Sequence, residues 1–214
     1  MQLTTYFRSS AAWRVRAALA VKGLAYEPAF VHLTRDGGGQ KRPAYRAKNP
    51  AGLVPYLEDG EAAFGQSLAI IEYLEETRPE PPLLPADPVA RAKVRELALA
   101  IACEIHPLNN LRVLQHLTGA MALSEEQKLA WYRHWIAEGF AAVEGLTPDD
   151  APDRGVCFGQ SVTLADLCLV PQVFNARRFE CDLSAYPKIT AVADALIARP
   201  EFADTAPGRQ PDAE

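Results

Sequence analysis

The sequence predicts two structural parts, an α/β domain at residues 1–80 and an all-helical domain at residues 89–214. In the first part, runs of β-forming residues alternate with helical periodicity, and in the second the apolar spacing is helical throughout. The stretch TRPEPPLLPADP joins them and carries five prolines in twelve residues. Because proline fixes φ and cannot continue a helix, residues 81–88 are expected to be an extended linker.

The first part has the predicted order β-α-β-α-β-β-α, which indicates a small mixed sheet with helices on its faces. Gly23 ends an alanine-rich helix, and Glu58-Asp59-Gly60 is typical of a hairpin turn. The elements are expected at residues 3–7, 9–22, 26–33, 34–47, 53–57, 62–64 and 67–77.

Capping signals locate helices in the second part. Ser124 with Gln127 forms a capping box that opens a helix to about residue 145, and Thr163 with Asp166 forms a second box. Asp166 is therefore interpreted as structural. A helix from residue 89 is expected to continue, past a kink at Pro107, to about residue 117. The tail from Thr205 has no large apolar residue and is expected to fray.

Composition excludes several classes of protein. The 214 residues carry 22 basic and 27 acidic side chains, and 49% are hydrophobic, which excludes a disordered chain and argues against nucleic acid as a partner. No apolar run approaches the roughly 20 residues of a membrane span. The four cysteines show no zinc-site spacing, so no metal is expected. An acidic chain without a signal pattern predicts a cytoplasmic protein with free thiols.

Three places in the first part suggest chemistry. Ser9-Ser10 precedes a helix, where free N–H groups and the helix dipole can hold an anion or a thiolate, although a helix N-cap is the simpler interpretation. Val54-Pro55 is either a cis bond that presents the Val54 backbone to a peptide-like ligand or an ordinary edge-strand proline. Gln66-Ser67 precedes another helix, where Ser67 is expected to cap the helix and is able to hold a carboxylate.

The order and context of these motifs are more specific than each motif alone. The segments YFRSSAAWRVRAALAVKGLAYE, NPAGLVPYLEDG and QSLAIIEYLEE resemble zeta-class glutathione transferases, the maleylacetoacetate isomerase family, which has bacterial maleylpyruvate isomerases as close relatives. The later segments IHPLNNLRVLQHL and VTLADLCLVPQVFNARRFECDLSAYP resemble the same family. The resemblance covers roughly residues 1–205. It implies a thioredoxin-like N-terminal domain, an all-α C-terminal domain and a homodimer.

The resemblance also implies roles for individual residues. Ser9, with Ser10 beside it, would stabilise the thiolate of glutathione, and Arg8 and Arg178 would bind the substrate. The remaining residues implied to bind glutathione are Ala11, Ala12, Trp13 and Arg14 near the sulfur, Gln40, Val54 and Pro55 along the peptide, Gln66 and Ser67 at the γ-glutamyl end, and His106, Asn110, Leu111 and Arg112 from the second domain.

The implied reaction is a cis–trans isomerisation of a small dicarboxylate keto acid. Reversible addition of a thiolate lowers the order of the C=C bond, allows rotation and regenerates glutathione. The guanidinium fork suits carboxylates, so Arg8 and Arg178 are expected to hold them, with Arg112 assisting. Arg177 is expected to be solvated. His106 is either a site residue or a partly buried structural histidine. Arg14 and Arg16 are either a solvated helix face or a salt-bridge pair with the second domain.

Two departures from the family pattern bear on function. Ala11 and Ala12 stand where many relatives carry Cys-Ser, which puts thiol–disulfide side chemistry in doubt. His106 and Arg112 stand where animal members often have Gln and Ser. The sequence is compatible with three functions: a maleylacetoacetate or maleylpyruvate isomerase, which the resemblance favours, a transferase that conjugates or dehalogenates small electrophiles such as 2-halo acids, and a non-catalytic binding module.

Overall fold

The computed structural model describes all residues 1–214 and divides into two compact units. The first unit is Met1–Leu83 together with Ala198–Glu214, and the second is Leu84–Ile197. The change of unit after Leu83 falls inside the stretch expected to be a linker. The sequence prediction assigned residues 198–214 to the helical domain, whereas their contacts group them with the first unit.

The first unit is built on a four-stranded mixed sheet with strand order β2-β1-β3-β4. β1 pairs in parallel with β2 and antiparallel with β3, which forms a hairpin with β4. The predicted β-α-β-α-β-β-α order is confirmed. The elements are β1 (Gln2–Thr5), α1 (Ser10–Val21), β2 (Glu27–Phe30), α2 (Pro43–Lys48), β3 (Tyr56–Asp59), β4 (Ala62–Gly65) and α3 (Ser67–Thr77), with 3-10 turns at Arg35–Gly37 and Gly39–Lys41 before α2.

A buried ion pair ties α1 to the end of this unit's first segment. Lys22 Nζ lies 2.9 Å from Glu75 Oε2, and the Lys22 side chain is fully buried. The same ammonium donates to the carbonyls of Arg78 and Pro81, while Glu75 accepts from the Leu83 N–H. A buried pair needs such extra hydrogen bonds to offset the desolvation of its charges. The start of the expected linker is thereby fixed against α1 and α3.

The C-terminal segment packs on the first unit, so the prediction that the tail frays is wrong. Its short helix α10 (Pro200–Ala203) packs against α1, and Phe202 is completely buried. Beyond it, Trp13 Nε1 donates to Thr205 Oγ1 at 3.0 Å, and the Phe7 N–H donates to Asp212 Oδ2 at 3.0 Å. The residues after 205 are ordered by hydrogen bonds rather than by large apolar side chains, which composition does not reveal.

The second unit is helical, as predicted. α4 packs against α8, and α8 packs against α9. Both predicted capping boxes are confirmed: Ser124 with Gln127 opens α6, and Thr163 with Asp166 opens α8. The helices are α4 (Pro88–Leu99), a π-helical segment (Ala100–Ile105), α5 (Leu111–Thr118), α6 (Glu125–Leu146), α7 (Ala151–Arg154), α8 (Leu164–Arg178) and α9 (Pro187–Ile197).

Two further predictions concern this unit and the cysteines. The helix expected to run through a kink at Pro107 instead changes to π geometry after Leu99 and resumes at Leu111. All four cysteines are free thiols, as predicted. None of the helices is both long enough and apolar enough to cross a membrane.

Candidate functional site

Ser9 is the N-cap of α1. Its Oγ accepts a hydrogen bond from the Ala12 N–H at 3.1 Å, and its backbone is extended before the helix begins. Capping uses the hydroxyl only as an acceptor, while the hydroxyl proton remains a donor. Ser9 can therefore cap the helix and also donate to an anion. Ser10 is buried as the first residue of α1, at the positive end of the helix dipole.

Arg16 holds the loop that leads to Ser9. Its buried guanidinium donates to the carbonyls of Tyr6, Phe7 and Thr205 and to the hydroxyl of Thr5. Desolvation lowers the pKa of Arg16 to about 10. Arg16 is completely buried, so it is not part of a solvated helix face. Its one hydrogen bond to the predicted second domain goes to the Thr205 carbonyl and is not the expected salt bridge, so both interpretations are wrong.

Arg8 is exposed and lies beside a carboxylate of its own chain. Its guanidinium carbon is 4.8 Å from the centre of the Phe7 ring, and its Nη2 is 3.9 Å from Glu214 Oε2. Glu214 also contacts His32 Nε2 at 2.8 Å and Arg35 Nη2 at 2.5 Å. The His32 hydrogen bond, followed by Arg35 and Arg8, lowers the pKa of the Glu214 carboxyl. Arg8 thus stands in a cluster of cations that already binds one carboxylate.

The start of α3 differs from the prediction that Ser67 caps this helix. Gln66 occupies the N-cap position with φ of 70°, and Ser67 is the first helical residue. Positive φ is uncommon for a residue other than glycine, and such strain is concentrated at ligand sites. The Ser67 hydroxyl instead accepts from Arg14 Nη1 at 3.4 Å. Arg14 is 2% exposed, so it is not part of a solvated helix face, and its guanidinium bonds Ser67 rather than an acidic residue of the second domain.

The Val54-Pro55 peptide bond is cis, as one of the two interpretations of this dipeptide required. Both residues are buried immediately before β3. Gln40 is also buried, and its Nε2 donates to the Leu33 carbonyl at 3.0 Å while its Oε1 has no hydrogen-bond partner. Buried acceptors are normally hydrogen-bonded, so this unpaired oxygen is an exception that a ligand site nearby would explain.

The residues in the first turns of α1 differ in how deeply they are buried. Ala11 is half-buried and Ala12 is buried. The Trp13 side chain, which the resemblance implied to lie near the sulfur, is 1% exposed and bonds Thr205. It therefore contributes to the core of the first unit.

In the second unit, His106 directly follows the π-helical segment. The backbone N–H of His106 donates to the Ile101 carbonyl, five residues earlier, at 2.9 Å. A Cβ added at Gly139 of α6 would lie 2.2 Å from Ile105 Cγ1, so the absence of a side chain allows α6 to approach this segment. π turns within helices are frequent at functional sites. The placement of His106, which is half-buried, is consistent with either of its two interpretations.

The other predicted residues of the second unit lie at helix ends. Asn110 is the N-cap of α5 and accepts from the Arg112 N–H at 3.1 Å, with Leu111 between them. Arg112 is exposed. Arg178 is the exposed last residue of α8, where its guanidinium carbon lies 5.2 Å from the centre of the Phe179 ring and makes no ion pair.

The neighbouring Arg177 is paired with Asp194 at 2.6 Å and is exposed, as expected for a solvated residue. Arg177 is therefore already paired, whereas Arg178 has no ion-pair partner and can bind a carboxylate ligand.

The first unit fits an extended, peptide-like thiol with carboxylates. It offers a hydroxyl at the N-terminus of α1, an orphaned amide oxygen on Gln40, and a hydroxyl above a buried guanidinium at the N-terminus of α3. Sequence reasoning missed the contact of Arg14 with Ser67. The available signal was two arginines in a helix that is otherwise almost entirely apolar. No cluster of metal-ligating side chains is present.

This sheet order, with a serine-capped α1 and a second helix N-terminus at Ser67, defines a thioredoxin-like unit of the glutathione transferase type. A family model for the glutathione S-transferase N-terminal domain matches residues 3–82. A probable maleylacetoacetate isomerase of Vibrio cholerae is 50% identical over 97% of this chain and 96% of its own length. The chain belongs to the maleylacetoacetate isomerase family, the zeta class of glutathione transferases.

Solved structures agree with this assignment. The holo structure of a bacterial zeta-class maleylpyruvate isomerase has a TM-score of 0.95 and 44% identity, with both chains fully covered. A maleylacetoacetate isomerase of Methylobacterium extorquens AM1, solved with malonate and glutathione, has a TM-score of 0.93 and 40% identity over the full length of both chains. These relatives confirm the predicted fold class and support the isomerase interpretation over the transferase alternative.

Proposed function

We propose that this chain is a glutathione-dependent cis–trans isomerase that converts a maleyl keto acid, maleylacetoacetate or maleylpyruvate, to its fumaryl isomer. One observation carries the proposal: a hydroxyl at the start of a helix, Ser9, directly follows an exposed guanidinium in a carboxylate-binding cluster, Arg8. A thiolate site and a dicarboxylate site are thus neighbours in the chain. The names of the relatives support the same chemistry.

The chain's contribution to the thiolate comes from α1. When bound, glutathione supplies a sulfur nucleophile that adds reversibly to the alkene and so permits rotation about that bond. The Ser9 hydroxyl donates to the sulfur, and the positive end of α1 favours its charged form. A shift of about 2 pKa units from the free value near 8.5 corresponds to roughly 2.7 kcal/mol of preference for the thiolate.

The arginines are proposed to hold the substrate. Arg8 and Arg178, both exposed, bind its carboxylates, and Arg112 assists. Guanidinium groups match carboxylates geometrically and remain charged at neutral pH. His106 acts toward the thiol or the substrate. Fixing both ends of the substrate converts the addition into a nearly intramolecular step.

The remaining residues that the family resemblance implied are proposed to hold glutathione. They are Ser10, Ala11, Ala12, Trp13 and Arg14 near the start of α1, Gln40, Val54 and Pro55 along the peptide, Gln66 and Ser67 at the γ-glutamyl end, and Asn110 and Leu111.

We also propose a cytoplasmic homodimer with no nucleic-acid or membrane partner. Residues 1–80 supply most of the proposed glutathione contacts, residues 81–88 connect, and the helices between residues 89 and 197 supply Arg112 and Arg178 to the substrate.

The test is direct conversion. Enzymatically prepared maleylacetoacetate and maleylpyruvate are offered separately to the purified chain with glutathione, and the fumaryl product is identified by chromatography. One of the two should be isomerised. Absence of fumaryl product from both, with thioether formed from 2-halo acids instead, would establish the transferase alternative.

A further inference from the structure

We infer that Arg14 is a positioning residue for glutathione, acting through Ser67 as a buried counter-charge for the α-carboxylate of the γ-glutamyl group. The inference rests on the proposed glutathione site and assigns Arg14 to the γ-glutamyl end, not to the sulfur. The observation behind it is a buried guanidinium that the protein itself leaves largely unpaired.

Arg14 and Arg16 are two residues apart on α1 and provide an internal comparison. Both are essentially fully buried. Every guanidinium nitrogen of Arg16 has a hydrogen-bond partner. For Arg14, only Nη1 is bonded, while Nε and Nη2 are buried without a partner. These two nitrogens therefore have no carboxylate at hydrogen-bond distance.

A buried charge without hydrogen bonds or a counter-ion destabilises a protein. Groups of this kind persist where function requires them. Structural packing alone does not account for Arg14, because a methionine or leucine would fill a similar volume without the desolvation cost.

The one hydrogen bond of the Arg14 guanidinium indicates which part of the site its charge acts on. Arg14 Nη1 donates to Ser67 Oγ at 3.4 Å, so the Ser67 hydroxyl is an acceptor toward Arg14 and keeps its own proton to donate. Ser67 is the first residue of the eleven-residue helix α3, whose terminal N–H groups and dipole favour an anion. A carboxylate bound there would receive the Ser67 hydrogen bond and lie near the guanidinium. In a chain of hydrogen bonds each bond polarises the next, so the bond from Arg14 to Ser67 should strengthen the bond from Ser67 to the carboxylate.

The test measures binding, so its outcome is independent of catalysis. Titration calorimetry compares glutathione with an analogue in which the γ-glutamyl α-carboxylate is converted to an amide. In the wild-type chain, the amide should bind about 10- to 100-fold more weakly. In Arg14→Met, glutathione should bind about as weakly as the amide, so the ratio of the two affinities should approach one. Arg14→Lys should restore part of the ratio, and the exposed Arg209→Met controls for net charge.

Thermal unfolding separates this role from a structural one. Without ligand, Arg14→Met should melt at or above the wild-type temperature, because an unpaired buried charge has been removed. The rise in melting temperature on addition of glutathione should be smaller in Arg14→Met than in the wild type, because the variant binds glutathione more weakly. Ser67→Ala combined with Arg14→Met should weaken binding little more than either change alone.

Several results would overturn the inference: an unchanged affinity ratio in Arg14→Met, a lowered melting temperature without ligand, or failure of both Arg14 variants to fold. These readouts remain valid if the chain binds glutathione but isomerises no maleyl keto acid, in which case only the proposed function fails.

Discussion

The two buried arginines of α1 have identical side chains but different roles. Arg16 satisfies three carbonyls and a hydroxyl around the loop before Ser9, and it belongs to the fold. Arg14 is left with two orphaned nitrogens near Ser67. Their sequence setting, Trp-Arg-Val-Arg, does not distinguish them, because the distinction depends on partners from other elements: the loop before α1 and the C-terminal segment for Arg16, and the start of α3 for Arg14.

Replacement of Arg16 by methionine should therefore destabilise the chain by about 3 kcal/mol or more, since several buried acceptors lose their donor and each costs about 1–3 kcal/mol. Urea unfolding followed by circular dichroism measures the loss, with Arg14→Met as the matched variant that should not show it. Equal stability of Arg16→Met and the wild type would contradict the structural role.

Ser9 combines capping with a proposed role toward sulfur, and the two can be separated. Ser9→Ala should raise the thiol pKa of bound glutathione toward about 8.5 and lower the rate at pH 7 about 10- to 100-fold. The thiolate absorbance near 240 nm follows the titration. Ser124→Ala is the matched control, because Ser124 accepts a hydrogen bond from the Gln127 N–H as Ser9 does from the Ala12 N–H. Each variant should lose about 1 kcal/mol of folding stability with its helix cap. Equal loss of activity in both variants would show that Ser9 acts only as a cap.

At the scale of elements, the C-terminal segment belongs to the first unit and places Glu214 against Arg8. If Arg8 binds substrate, this carboxylate competes with it. Glu214→Gln should lower the KM for the dicarboxylate substrate up to about fivefold, a limit set by the modest strength of exposed ion pairs, with kcat unchanged. Glu201→Gln, which loses an ion pair with Arg199 in the same segment, is the control. A raised KM in Glu214→Gln would mean that Glu214 supports the site instead.

The π-helical segment before His106 depends on a close approach of α6. Gly139→Ala would place a Cβ 2.2 Å from Ile105 Cγ1, and Ile105 is completely buried. Overpacking of this kind costs about 1–3 kcal/mol, against a gain of up to about 1 kcal/mol from helix propensity. We expect net destabilisation, and the double variant with Ile105→Ala should lose less stability than the sum of the two single losses, because the truncation relieves the close contact. Denaturant unfolding measures both, and simple additivity of the two losses would contradict the contact.

At the scale of the whole molecule, local signals predicted most of the architecture. The helix expected at residues 67–77 has those bounds, and both capping boxes form, because caps and periodicity act within a few residues. The tail was mispredicted because Trp13 meets Thr205 across 192 residues of chain, a pairing invisible to composition. Ser67 was misassigned as a cap because the strained Gln66 takes that position.

The site was foreseeable only in part for the same reason. Ser9 and the cis Val54-Pro55 bond belong to compact motifs that a sequence displays. The contact of Arg14 with Ser67 joins α1 to α3, and the contact of Arg8 with Glu214 joins opposite ends of the chain. Tertiary structure alone brings such pairs together.

The most direct test of the account is to count thiols during turnover. The purified chain is given maleylacetoacetate or maleylpyruvate with glutathione at one hundredth of the substrate concentration, and fumaryl product and free thiol are both measured at completion. An isomerase should convert one substrate completely with the thiol count unchanged, because glutathione is released after every cycle. A reaction that stops after one equivalent of glutathione, with the thiol consumed, would contradict the isomerase proposal and identify a transferase.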